Sequence, residues 1–172
     1  GTTIYAGAGP LNGLYSPTRL TARVLDSTAL ASAVSTQQYI LQNSDGATWQ
    51  TVDAGNLDVA QTPSRDVTAV LGGNVDLFTA NAGYNQDIAI FVSDNGGADQ
   101  LVAWKESGGF AGTFSPNAAF VQANFPMSSG HSYHFKLKWK ANKPANGTRL
   151  FAGAGPINSV YSPTRLTVEV SG

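Results

Sequence analysis

Few residues in this sequence could carry out acid–base or metal chemistry, and its two histidines are the first candidates. His131 and His134 form a His-x-x-His pair, a spacing that suits metal chelation on a helix. In a β-strand, residues three apart point to opposite faces, and no acidic residue close by in sequence completes a ligand set. The Gly-x-Ser-x-Gly motif of serine hydrolases is absent from the sequence. We therefore expect neither a histidine metal site nor a hydrolase triad.

The two glutamates are the next candidates, because glycoside hydrolysis needs a pair of carboxylates. Glu106 follows Trp104 and Lys105 and is the glutamate with an aromatic neighbour in sequence. Glu169 occupies a position that carries Arg23 in a second copy of its segment, so either charge is tolerated there. A glycoside-active enzyme would require a second carboxylate within about 10 Å of Glu106 in a cleft. We expect the protein not to be an enzyme.

Two loops are rich in oxygen ligands of the kind that calcium prefers. One runs from Asp94 to Asp99 (Asp-Asn-Gly-Gly-Ala-Asp), and the other covers residues 43–46. The same residue types are also the usual formers of β-turns, and neither loop has the spacing of an EF-hand. Both interpretations stay open, with Asp94 and Asp99 as the first calcium ligands to test. No other cofactor is expected.

Aromatic residues among Asn, Asp and Gln could form a stacking platform for sugar rings. Trp49 follows an Asp-Gly turn, and we expect it to be partly exposed; Tyr84 is its candidate partner. Trp139 and Trp104 alternate with polar neighbours and are expected in the core.

The chain begins and ends with two copies of one segment. Residues 1–24 and 147–170 align without a gap at an offset of 146 residues, with 16 identities in 24 positions. Such a match indicates that both copies adopt the same local structure. Two explanations are open: a single domain with a duplicated terminal hairpin, or one unit of a longer array that carries its neighbour's last segment.

Each copy contains a short apolar strand, a loop of about ten residues with prolines at its margins, and an alternating strand. These strands are the expected strand-pairing surface, and their apolar residues are Ile4, Tyr5, Leu20 and Val24 in the first copy and Leu150, Phe151, Leu166 and Val170 in the second. Both copies retain an arginine in Ser-Pro-Thr-Arg-Leu, Arg19 and Arg165. We expect a structural role for it, with the guanidinium bound to a carboxylate or to loop carbonyls.

Composition limits the class of protein. The chain has 172 residues, of which 42% are hydrophobic and 12% charged, with a net charge of −1 and no cysteine. We expect one domain over residues 1–172. The low charge gives no field that would attract nucleic acid, and no apolar run is long enough to span a bilayer. The uncharged Thr-, Asn- and Gly-rich composition favours a secreted or cell-surface protein.

Alternation of apolar and polar residues dominates the chain. It is clearest in residues 131–140, where Tyr133, Phe135, Leu137 and Trp139 share one face. Further strands are predicted at 38–41, 48–52, 57–60, 67–71, 75–79, 88–92, 101–104, 119–123, 149–152 and 165–170. Turn-forming residues separate them, including 72–74. Residues 28–34 could form a short helix or a strand bridging two sheets. The pattern predicts an all-β, jelly-roll-like sandwich of about ten to twelve antiparallel strands.

From about residue 38 to residue 170 the sequence resembles bacterial jelly-roll domains of the C1q/TNF-like kind. The resemblance rests on the succession YILQNSDGATWQTVD, VLGGNVDLFTANAGYNQDIAIFV, HSYHFKLKWKAN and the final GTRLFAGAGPINSVYSPTRLTVEV. It implies a trimeric, extracellular, non-enzymatic head or fibre end. The first copy of the terminal segment departs from this pattern, since it needs something to pair with.

These observations favour a non-catalytic extracellular structural module, a fibre or array subunit that associates with itself by strand pairing of its duplicated ends. A carbohydrate-binding module with a glycan partner is the alternative, and a glycoside-active enzyme is the third hypothesis.

Overall fold

The computed structural model describes residues 30–107 and 114–171. Within these ranges the chain forms eleven β-strands and no helix. In chain order they are β1 (Leu30–Ser35), β2 (Tyr39–Gln42), β3 (Gln50–Thr51), β4 (Asp58–Gln61), β5 (Val67–Thr79), β6 (Gln86–Asp94), β7 (Gln100–Ser107), β8 (Asn117–Met127), β9 (Tyr133–Ala141), β10 (Arg149–Ala152) and β11 (Thr164–Ser171). The all-β sandwich predicted from the sequence is confirmed.

The first sheet is built around the long strand β5. Along one edge, β5 pairs with β8 over residues 67–77. Along the other edge it pairs first with β11 and then with β10, which β1 and β2 in turn flank. All of these pairings are antiparallel.

The second sheet has the order β3-β9-β6-β7, with β4 beside β3 on the same edge of β9. Its central strand β9 shows the alternation that the sequence predicts: Tyr133, Phe135, Leu137 and Trp139 are buried, and the residues between them are partly exposed. The two sheets enclose one hydrophobic core that includes Leu71 and Leu77 of β5, Ile88 and Ile90 of β6, and Leu137 of β9.

The turn predicted at residues 72–74 is wrong, because β5 runs unbroken through it. Gly73 faces the interior, where an added Cβ would lie 2.8 Å from Leu137 Cδ2 and 2.9 Å from Val121 Cγ1. A glycine inside a strand often marks such a close approach rather than a chain reversal. The strand therefore needs glycine here for packing between the sheets.

Residues 30–35 form strand β1, so the helix considered for residues 28–34 is not present in the described part of that segment. Residues 1–24, which include the first copy of the repeat, lie outside the described residues. The single domain over residues 1–172 accordingly stays a prediction.

Candidate strand-pairing site

The second copy of the repeat fills a single position in the first sheet, which we call the β5 slot: the edge of β5 from residue 68 to residue 79, facing β1 and β2. Strand β11 occupies residues 68–74 of this edge and β10 occupies residues 77–79. On their other sides β11 pairs with β1 and β10 pairs with β2. Strands β10 and β11 of the second copy therefore pair with β5 on one side and with β2 and β1 on the other.

Five residues on the inward face of this strand pair have no exposed surface: Leu150, Ala152, Thr164, Leu166 and Val168. Val170 is half-buried against the same core, and Phe151 is buried on the outer face, where its ring stacks on Phe78 at 4.8 Å. Burial of each large side chain stabilises the closed sandwich by roughly 1.5–3 kcal/mol.

The loop between β10 and β11 has a defined backbone. Gly153 and Gly155 have φ angles of 93° and 118°, and Asn158 and Ser159 have 51° and 66°. These values lie in the left-handed region that favours glycine and, less strongly, asparagine. At Gly153 an added Cβ would lie 2.8 Å from the carbonyl oxygen of Gln37. The loop conformation therefore restricts which residues can occupy these four positions.

The first copy, compared by sequence, keeps what the β5 slot requires. It is identical at three of the fully buried positions, as Ala6, Thr18 and Leu20, equal in size at Ile4, and smaller at Ala22, which aligns with Val168. At the four left-handed positions it has Gly7, Gly9, Asn12 and Gly13. Ser159 has a left-handed backbone conformation that is unfavourable for serine, and the aligned residue of the first copy is glycine.

The differences between the copies include positions with exposed side chains, such as Arg149, which is Thr3 in the first copy, and Ile157, which is Leu11. The placement of Ile4, Tyr5, Leu20, Val24 and Arg19 themselves lies outside the described residues.

Arg165 does not show the structural contact that the sequence suggests. Its side chain is exposed on the outer face of β11, with Asn74 and Val34 opposite it in register. Among the described residues no carboxylate or carbonyl lies within hydrogen-bond distance of its guanidinium. The structural role for Arg19 and Arg165 stays a prediction that these contacts do not support.

The two calcium candidates are each held by cationic or histidine side chains. Asp99 forms ion pairs with Lys136 at 2.8 Å and Lys138 at 2.7 Å, and hydrogen bonds from these two lysines lower the pKa of its carboxyl. Asp94 lies 2.9 Å from His131 Nδ1. No cluster of three or more His, Asp or Glu residues suited to a metal occurs within residues 30–107 and 114–171. The calcium site therefore stays a prediction without support from these contacts.

His131 and His134 point to different partners, as expected for residues near and within a strand. His134 Nδ1 lies 2.9 Å from Asp58 Oδ1 across the β4–β9 pair. Glu106 accepts a hydrogen bond of 2.6 Å from Asn85 Nδ2, and Asp87 lies directly opposite it in register. The second carboxylate that a glycosidase requires is thus a neighbour of Glu106, but Glu106 is absent from the residues that line the nearby groove.

That groove lies on the outer face of the second sheet and has a volume of about 230 Å³. We call it the tryptophan groove; its lining consists of Trp49, Asp87, Leu101, Trp104 and Lys140. Trp49 is partly buried, and its ring makes an edge contact with Phe91 at 5.7 Å. Tyr84 packs against the core beneath Lys143, away from this lining.

The expectation that Trp104 is buried is wrong, because 53% of its surface is exposed. The cause is a β-bulge in the β6–β7 pair at Ile90 and Phe91, which shifts the register by one residue. A bulge breaks the alternation of faces, so Leu101 and Trp104, three residues apart, are both exposed.

Sequence reasoning missed both polar residues of the groove, Lys140 and Asp87, of which Asp87 is the more deeply buried. Its side chain is only 4% exposed, and Oδ2 accepts a hydrogen bond of 2.6 Å from Lys140 Nζ. Its other oxygen, Oδ1, is buried and has no hydrogen-bond partner among the described residues. A buried acceptor without a partner costs about 1–3 kcal/mol, and Asp87 is one of the residues that line the groove.

No known protein family matches this sequence, and no curated protein is similar to it. Solved structures with a partial likeness to this chain include Eiger TNF from S. frugiperda, with a TM-score of 0.48, 7% identity and coverage of 84% of this chain and 94% of that chain. The VP2 subviral particle of infectious bursal disease virus has a TM-score of 0.44 and 16% identity, covering 89% of this chain and 43% of that chain. An alpha-amino acid ester hydrolase has a TM-score of 0.37 and 9% identity, covering 78% and 32%.

The present chain therefore spans less than half of the viral protein and about a third of the hydrolase. At these identities, and with TM-scores below 0.5, the likeness carries no conclusion about family or function. The bacterial C1q/TNF-like family is not shown and stays a prediction. Within the described ranges no helix is long and apolar enough to cross a membrane.

Proposed function

We propose that this protein is a non-catalytic self-assembly module in which a second copy of the chain can supply the strand pair that closes the first sheet. The observation that carries the proposal is the match between the β5 slot and the repeat: the first copy retains the side-chain types buried there and the residues suited to the left-handed loop positions. Each chain thus has one slot and two segments that fit it.

The energetic difference between the two segments is small. Exchange replaces Leu150 by Ile4, a swap of equal size, and replaces Val168 by Ala22, which removes two methyl groups. The second change disfavours the first copy by roughly 2 kcal/mol, or about 30-fold. The covalent link from β9 to β10 also raises the effective concentration of the chain's own segment. The closed single chain is therefore favoured, and exchange between chains is accessible at high protein concentration.

We propose a secreted or cell-surface location for this module. Its support is compositional: only 12% of the residues are charged, and the sequence is rich in Thr, Asn and Gly, which suits close packing of subunits. A fibre or an array would follow if each displaced segment fills the slot of the next chain, as in strand addition between subunits.

A disulfide experiment tests the exchange without background, since the chain has no cysteine. Arg165 lies opposite Asn74 in the slot, and both side chains are exposed. Chains carrying Arg19→Cys and isotope-labelled chains carrying Asn74→Cys are unfolded together, refolded at high concentration and oxidised. Exchange predicts a mixed disulfide between the two chain types, identified by mass spectrometry.

Two matched variants control the geometry. The double variant Arg165→Cys/Asn74→Cys reports the native register and should close within one chain. Arg23→Cys would lie four residues, or about 13 Å, from the required register, and should not react with Asn74→Cys chains. Full closure of the first control with no Arg19–Asn74 crosslink, in a sample that stays monomeric, would overturn the proposal.

A further inference from the structure

We propose that the tryptophan groove on the second sheet binds a neutral saccharide, with Trp104 and Trp49 contacting the sugar ring and Asp87 accepting a hydrogen bond from one of its hydroxyls. The groove lies on the sheet opposite the β5 slot, so this binding does not depend on strand exchange.

The aromatic walls give the first argument. Trp104 is 53% exposed on an edge strand, and Leu101 beside it is 48% exposed, so this side of the groove presents apolar surface to solvent. Trp49 forms part of the lining and is held by its edge contact with Phe91. Ligand sites typically combine such apolar walls with a small number of placed polar groups.

The hydrogen-bonding capacity of the groove gives the second argument. Lys140 Nζ already has three acceptors, Asp87 Oδ2, the carbonyl of Gly46 at 3.0 Å and the carbonyl of Ala141 at 3.4 Å. An ammonium has three donors, so none remains for an anionic ligand. Asp87 Oδ1 is the acceptor left without a partner among the described residues. A ligand that contacts this atom would have to donate a hydrogen bond to it.

The charged residues at the groove favour a neutral sugar over a cationic ligand. Lys140 compensates the charge of Asp87 through their ion pair, and its Nζ lies 5.1 Å from the centre of the Trp49 ring. Lys138 Nζ lies 4.7 Å from the centre of the neighbouring Phe91 ring. Lysine ammonium groups thus already lie over the Trp49 and Phe91 rings, and a cationic ligand would have to displace them to stack there. A hydroxyl donor with an apolar face and no charge is the chemistry of a pyranose.

Size limits the ligand to a single ring. The groove volume of about 230 Å³ is below the roughly 300–1,000 Å³ of pockets that enclose drug-sized ligands. We therefore expect contact with one sugar unit of a glycan. A larger cleft, lined by Arg65, Asp66 and Met127 among others, contains none of the buried polar atoms without a partner.

Nuclear magnetic resonance on the full chain tests this binding, because the three tryptophans provide three indole N–H signals. The probes are four trisaccharides: cellotriose, xylotriose, mannotriose and chitotriose. Choline is added in a separate titration to test the competing hypothesis of a cationic ligand. Binding predicts shifts of the Trp104 and Trp49 signals with little change for Trp139, which is buried in the core. Since the ligand is neutral, affinity should change less than about twofold between low and high salt.

Trp104→Ala should weaken binding at least tenfold, and Asp87→Asn, which keeps the size of the side chain, should weaken it as well. Phe120→Ala is the matched control, because Phe120 is also 53% exposed but lies on the other sheet. Its binding should equal that of the unmodified protein. The proposal is overturned if no trisaccharide shifts the Trp104 signal at millimolar concentration, if choline does so instead, or if the trisaccharide is cleaved.

Discussion

Asp53 connects the two sheets through a set of hydrogen bonds that depends on its charge. Its carboxylate accepts a hydrogen bond of 2.7 Å from Tyr39 on β2, and others from Gly55 and Asn56 in the turn that follows β3. Burial raises the pKa of Asp53, but these hydrogen bonds outweigh it and hold the pKa at about 2. The ionised form is therefore favoured in the folded state.

This linkage predicts how stability depends on acid. An aspartate in an unfolded chain has a pKa of about 3.9, so the contribution of Asp53 is complete above that pH and is lost as the pH falls towards 2. Asp53→Asn should lower the free energy of unfolding at neutral pH and flatten its decline between pH 4 and pH 2. Urea unfolding at a series of pH values measures this. Parallel curves for the two proteins would contradict the prediction.

Residue-level sequence reasoning succeeded where alternation is regular and failed at the bulge. Trp139 in β9 is buried as predicted, whereas Trp104 is exposed because a single irregularity in the β6–β7 pair shifts the pattern. Asp87 could have been noticed as the acidic residue that opens the apolar run Ile88–Val92. Its pairing with Lys140 joins residues 53 positions apart, and such contacts depend on strand order.

Strand β5 shows how much an element's course depends on its neighbours. The sequence Gly72-Gly73-Asn74 has the composition of a turn, and the strand passes through it because β8 and β11 pair on both sides. Most other strands were predicted within a few residues of their bounds, since each has one buried and one exposed face. The order of the strands within the sheets could not be read from alternation, which is similar in all of them.

The interior position of Gly73 gives a test of this element. Gly73→Ala should lower the free energy of unfolding by about 1–3 kcal/mol, because its Cβ would overlap Leu137 and the stiff side chain of Val121. Asn74→Ala, next to it on the exposed face, should change stability by less than about 0.5 kcal/mol. Chemical denaturation compares both with the unmodified protein. Equal stability of the Gly73 and Asn74 variants would show that the sheets can separate at this point.

At the scale of the whole molecule, the proposed exchange makes the two copies of the repeat alternatives for one position in the first sheet. Ala22→Val gives the first copy the side chain that the second copy buries in the slot, and Val168→Ala weakens the second copy. Together they reverse the difference between the two copies, a change of about 4 kcal/mol, and should raise the equilibrium constant for exchange by roughly 1,000-fold after refolding at high concentration. Light scattering coupled to size exclusion measures this fraction.

Thr3→Arg is the control for that experiment, because it makes the first copy more like the second at a position where Arg149 is exposed. It should leave the oligomer fraction unchanged. If the Ala22 and Val168 changes together behave like the control, slot occupancy does not govern association.

The positions of β1 and β11 in the first sheet determine where copies of this domain could be joined to one another or to another protein. Leu30, at the start of β1, lies opposite Glu169, near the end of β11. The first and last described residues, Leu30 and Ser171, therefore lie at one corner of the sandwich. Residues 30–171 could accordingly be grafted into a loop of another protein with short connectors. In a tandem array, each unit would be connected to both neighbours through that corner.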